Sequence, residues 1–107
     1  MARKSQSVTD TSGNATILSE FGAVEGKRNY IKSYNVFRTD SGASLAYVDF
    51  RDGTGGPVLW SAPLPPAGGD RMASEDPLFA TSEGVALAFD VSAALASVKI
   101  SVAGEQK

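Results

Sequence analysis

Residues 43–60, ASLAYVDF-RDGTGGP-VLW, constrain this chain more than any other stretch. Two apolar, β-prone segments flank a loop built from Asp52-Gly53 and Gly55-Gly56. Those dipeptides supply the positive φ angles that tight strand connections need. Pro57 then fixes φ at the start of the returning segment and removes an N–H donor there. The loop predicts a β-hairpin, and its neighbours fit the same class.

Residues 15–21 put Ile17, Ser19 and Phe21 on one face and Thr16 and Leu18 on the other. Residues 29–38 put Tyr30, Tyr34 and Val36 on one face and Ile31 and Phe37 on the opposite one. Apolar groups on both faces predict a central strand. In residues 43–50, Leu45 and Tyr47 oppose Ala46, Val48 and Phe50. Val85, Leu87, Phe89 and Val91 alternate with Ala86, Ala88 and Asp90, and Val98, Ile100 and Val102 alternate with Lys99 and Ser101. Residues 62–69 hold three prolines and two glycines, which predicts a surface connection anchored by Leu64. Residues 70–72 and 78–80 read as short edge strands, and residues 22–27, 40–42 and 81–84 as turns. Residues 92–96, SAALA, read as a turn with at most one helical turn.

Seven to eight short strands with regular turn signals argue for an all-β sandwich or barrel, and a single antiparallel β-sandwich is the expected architecture. No helical pattern alternates with them, which excludes βαβ architectures. The chain of 107 residues is read as one domain. Residues 14–107 are expected to form the sandwich. Residues 1–13 have Val8 as their one large apolar group beyond Met1, and are expected to be an extended N-terminal arm.

The net charge of −2 predicts no bulk attraction to nucleic acid or to an anionic membrane. The charge is uneven, +3 over residues 1–38 and −5 over residues 39–107, which reads either as a few solvated surface charges or as a basic terminal arm meeting an acidic surface. There is no histidine and no cysteine. The commonest general base, the usual zinc ligands and the thiolate nucleophile are therefore missing. No apolar run reaches the ~18 residues of a membrane span.

The individual motifs read as structure rather than chemistry. Asp49, Asp52 and Asp70 offer oxygen ligands, but the order of an EF-hand loop is not met. The Gly53–Gly56 run leads into a strand, whereas a phosphate cradle leads into a helix. Arg51-Asp52-Gly53 has the wrong order for an adhesion tripeptide. Glu75, Asp76 and Glu83 fall in loops and suggest no hydrolytic cleft. Trp60 with Tyr30, Tyr34 and Tyr47 offers a sugar-stacking platform on one reading, and core or subunit contact on the other. Few basic residues surround Trp60, which disfavours base stacking. No enzymatic activity, metal or cofactor is expected.

Six segments carry a resemblance. They are SYNVF at 33–37, AYVDFRDG at 46–53, PVLW at 57–60, LPPAGG at 64–69, LFATSEGVAL at 78–87 and VKISVAG at 98–104. Together, over about residues 14–104, they resemble small bacteriophage head-decoration, or cement, proteins. The resemblance implies a jelly-roll-like sandwich and a homotrimer at three-fold or quasi-three-fold positions of the shell. It also implies binding to the major capsid protein without chemistry. The expected location is the outer capsid surface of the virion, after synthesis in the host cytoplasm. Related words occur in head fibres and tail-associated β modules. A carbohydrate- or receptor-binding module is therefore the alternative. If residues 2–13 are an arm, they extend on the order of 40 Å, and Arg3, Lys4 and Val8 are the expected capsid contacts. Tyr34, Tyr47 and Trp60 are the expected core or trimer-interface aromatics.

Overall fold

The loop at residues 53–57 closes the hairpin that the glycines predict. Gly53 and Gly55 adopt φ values of 81° and 75°, in the left-handed region that favours glycine. The Asp52 amide donates to the Pro57 carbonyl (3.0 Å), and a bulge between Phe50 and Arg51 precedes the turn. The computed structural model describes residues 2–10, 13–39, 44–92 and 97–107. The predicted turn at 40–42 and most of the predicted 92–96 turn lie outside the described residues.

Among the described residues there are nine strands and one 3-10 turn, Ser19–Phe21. The strands are β1 (Ala2–Asp10), β2 (Thr16–Ile17), β3 (Asn29–Arg38), β4 (Ala46–Asp52), β5 (Val58–Leu64), β6 (Gly69–Ala73), β7 (Phe79–Ala80), β8 (Leu87–Val91) and β9 (Val98–Gln106). The first sheet has the order β1-β9-β3-β6, with β7 also pairing with β3. The second has the order β2-β8-β4-β5, and every pairing in both sheets is antiparallel. The chain passes back and forth between the sheets, so sequence neighbours such as β1 and β2 rarely pair. This is an all-β sandwich with the interleaved order of a jelly roll.

The inward faces follow the sequence pattern. Ala46, Val48 and Phe50 of β4 are buried, as are Leu87, Phe89 and Val91 of β8 and Val98, Ile100 and Val102 of β9. The opposite positions Leu45 and Tyr47 are exposed. The phase of β3 differs from a simple alternation. A register shift between Ile31 and Ser33 turns Ile31 inward with Tyr34 and Val36, while Phe37 stays outside. One extra residue in a strand reverses every side chain before it. Leu18 and Phe21 are buried and Ile17 is exposed, because β2 gives way to the 3-10 turn after two residues.

Two further differences have clear causes. β5 continues through Pro63 to a fully buried Leu64. Proline is admissible there because β5 is an edge strand, with its outer side unpaired. Residues 2–10, expected as an arm outside the sandwich, are extended but pair with β9 from Ala2↔Gln106 to Asp10↔Val98. They are an edge strand of the first sheet. An edge strand half open to solvent needs few apolar groups, and Val8 alone packs against the core.

If β1 is structural, deleting residues 2–10 lowers the melting temperature by more than about 8 °C. An unchanged thermal unfolding curve would return the segment to the role of a free arm.

Candidate functional site

Tyr34, Tyr47 and Trp60 do not form one surface. Tyr34 is 3% exposed and points between the sheets. Trp60, on the edge strand β5, is half-buried, and its indole Nε1 donates to the Tyr34 hydroxyl (2.9 Å). That hydroxyl donates in turn to Oδ2 of Asp70 on β6 (2.5 Å). The chain of bonds joins the two sheets along the side where β5 and β6 run. Phe79 stacks on Trp60 and on Phe50, with centroid separations of 5.8 and 5.3 Å. Tyr34 meets Trp60 edge-on at 6.1 Å. Burial and the hydrogen bond to Asp70 push the Tyr34 phenol up to about 12. The sugar platform considered for these rings is therefore not assembled at the surface. Asp70 and Phe79 complete the cluster. The sequence puts both on short edge strands, and it is the topology that brings them to Tyr34 and Trp60.

Tyr47 lies on the outward face of the second sheet, 40% exposed. Leu45, Ile17 and Val58 are exposed as well. Register puts Tyr47 opposite Pro63 at one end of this face, and aligns Ile17, Ala88, Arg51 and Val58 in one row at the other. From that second row a strip of charges, two carboxylates to one guanidinium, runs back toward Tyr47. Arg51 Nε donates to Asp90 Oδ2 (3.0 Å), Arg51 Nη2 lies 4.0 Å from Asp49, and Ser61 Oγ donates to Asp49 Oδ1 (2.6 Å). Arg51 Nη1 also donates to the Gly56 carbonyl. One guanidinium against two carboxylates leaves this strip with a net negative charge, and covering it carries a desolvation cost that its internal pairing offsets in part.

Arg3, Lys4 and Val8 are likewise separated. Arg3 points to the outside of β1, opposite Glu105, and Val8 packs inward opposite Ile100. Lys4 has the parity of Val8, not of Arg3. The three cannot grip one partner surface together. The hairpin loop is occupied with structure too. The Asp52 carboxylate accepts the Ser82 amide (2.7 Å) and hydroxyl (2.5 Å), tying the β4–β5 loop to the segment after β7. Among the described residues no group of three or more His, Cys, Asp or Glu side chains is placed to hold a metal ion.

The outward face of the first sheet forms an open groove of about 600 Å³. Its lining includes Ser5, Ser7, Ser33, Asn35, Arg71 and Ser101. Beside it, Glu105 is held by Lys32 (3.2 Å) and Lys107 (3.5 Å), and Lys107 sits over the Tyr30 ring. The hydrogen bond from Lys32 holds the Glu105 carboxyl below its usual range.

Among proteins of known structure, the chain is similar to one described as "Bacillus endospore appendages form a novel family of disulfide-linked pili", with 13% identity and a TM-score of 0.48. The match covers 96% of this chain and 86% of the other. No protein-family model matches, and no curated protein matches.

Tyr34→Phe leaves the Trp60 N–H and the Asp70 carboxylate without their shared partner. It is expected to cost about 1–3 kcal/mol of stability in denaturant titration. Because the folded phenol ionises near 12, above its ordinary value of 10.0, its contribution is complete below pH 10 and is lost as the pH rises through 12. Absorbance titration of the folded protein should therefore show a tyrosine step near pH 12 that Tyr34→Phe removes. A profile unchanged by the substitution would contradict this placement.

Proposed function

We propose that this chain is a structural virion protein of a bacteriophage. In this reading it is a decoration, or cement, protein that binds the lattice of major capsid protein as a homotrimer and stabilises the head. It carries out no chemistry and needs no cofactor. The observation that supports the reading best is the outward face of the second sheet. Leu45, Tyr47, Ile17 and Val58 are exposed there, around the partly paired Asp49–Arg51–Asp90 strip. Burying such a face around a three-fold axis gains apolar area, set against the desolvation of that strip. The jelly-roll order and the segment resemblance to decoration proteins support the same reading.

The mechanism is one of mass action. A protein that binds the assembled lattice, and not free capsid subunits, stabilises the lattice by the free energy of that binding. The outer surface of the particle is the proposed location. The earlier expectation of an N-terminal clamp through Arg3, Lys4 and Val8 is not carried into this proposal, since β1 divides them between its two faces.

Light scattering on the purified protein is expected to give a trimer, and the protein should bind saturably to expanded, undecorated heads. Tyr47→Asp combined with Leu45→Asp is expected to yield a folded monomer with at least ~10-fold weaker binding, about 1.4 kcal/mol. A wild-type monomer with no affinity for heads would overturn the proposal.

A further inference from the structure

The outward face of the first sheet has a chemistry of its own. Pairing across four strands sets its side chains in rows. Ser5, Ala103, Ser33 and Ala73 form one row, and Ser7, Ser101, Asn35 and Arg71 form the next. A third row is Thr9, Lys99, Phe37 and Gly69. The first two rows contribute to the groove of about 600 Å³. Its lining is mixed: four serine hydroxyls, the Asn35 amide and the Arg71 guanidinium stand among Ala73, Ala103 and the exposed Met72. Ser7 and Ser101 share a hydrogen bond of 2.8 Å, which fixes both hydroxyls. Within a row, neighbouring side chains lie one strand spacing apart, about 4.8 Å, and neighbouring rows lie two residues apart along the strands, about 7 Å, both on the scale of a sugar ring.

The rim is basic. Arg3, Lys99 and Arg71 occupy outward positions of β1, β9 and β6, and all three are exposed. Among the described residues none of them has a carboxylate within ion-pair distance. The acid at an outward position of this face, Glu105, is already engaged by Lys32 and Lys107. A chain with a net charge of −2 thus gathers unneutralised positive charge on one concave face. Phe37, 44% exposed, borders the groove next to Arg71 and offers an apolar ring face.

These features select among occupants. A protein partner wants a buried apolar centre with large anchoring side chains, whereas the outward rows of the groove offer Ser, Ala and Asn, and Met72 is the exposed large apolar side chain in its lining. A hydrated, hydroxyl-rich polymer fits the lining, and negative charge fits the rim. We propose that this groove binds an extended acidic polysaccharide. The serines and Asn35 meet its hydroxyls, Phe37 meets the apolar face of a sugar ring, and Arg71, Lys99 and Arg3 meet its carboxylates. The inference is independent of the capsid reading, because it concerns the opposite sheet.

The test uses polygalacturonate as the acidic glycan, dextran as the neutral one and polyglutamate as an acidic polypeptide, measured by calorimetry at low and at physiological salt. The expected result is binding of polygalacturonate, weakened but retained at physiological salt, with no binding of dextran or polyglutamate. Arg71→Glu with Lys99→Glu should reduce affinity at least 10-fold. Ser101→Leu, which fills the groove and leaves every charge in place, should do the same, with the melting temperature of each variant confirming that it is folded. Polyglutamate binding as tightly as polygalacturonate would mean a merely electrostatic face and would overturn the proposal. So would the absence of polygalacturonate binding, or binding that Ser101→Leu leaves intact while the variant stays folded.

Discussion

The pairing of β3 with β9 is the constraint on which the rest of the molecule depends. The two strands lie side by side at the centre of the first sheet, from Asn29↔Gln106 to Arg38↔Val98. Their inward residues, Ile31, Tyr34, Val36, Val98, Ile100 and Val102, form the floor of the core against which β4 and β8 pack. Period-two alternation places every second side chain on the other side. Burying that apolar floor therefore brings Ser33, Asn35, Ser101 and Ala103 together on the outside. The groove and the core are two faces of one strand pair.

The sandwich is then closed by polar devices at its margins. Tyr34 bridges Trp60 and Asp70 across the gap between the sheets on one side. At one end, buried Asn29 donates to the carbonyls of Phe21 and Val85 and accepts from Gln106, joining four separate segments. The buried Arg38 guanidinium donates to the carbonyls of Ser44 and Leu64, holding the entry to β4 against the end of β5. Each of these groups is buried with partners, as burial of polar atoms requires. They fix which strand ends meet, a task that non-directional apolar packing performs poorly.

Much of the fold was legible in the sequence, because alternation survives wherever a strand is regular. The hairpin, the inward faces of β4, β8 and β9, and the central position of β3 all followed from it. The parity that buries Val48 and Phe50 also put Tyr47 outside. What escaped the sequence had local physical causes. The bulge beside Lys32 inverted the phase of Ile31. Pro63 masked the end of β5, since proline forbids a central strand and tolerates an edge. β1 carries a single packed apolar residue, so its membership rests on backbone pairing to β9 that composition does not record. The groove was invisible for a related reason. Small polar residues at outward positions read as an ordinary solvated face until the register sets them in rows.

The two outward faces differ in kind, one with exposed apolar side chains around a partly paired, net acidic strip, the other lined by small hydroxyl groups and basic at its margin. That contrast suits a small sandwich that turns one sheet to its neighbours and the other to the surroundings. The most direct test is an electron-microscopy map of the virion proposed to carry this protein. The account predicts three-fold density on the outer shell, with the β2-β8-β4-β5 sheet at the contacts and the β1-β9-β3-β6 sheet facing outward. Density confined to the tail, or the first sheet buried against its neighbours, would contradict it.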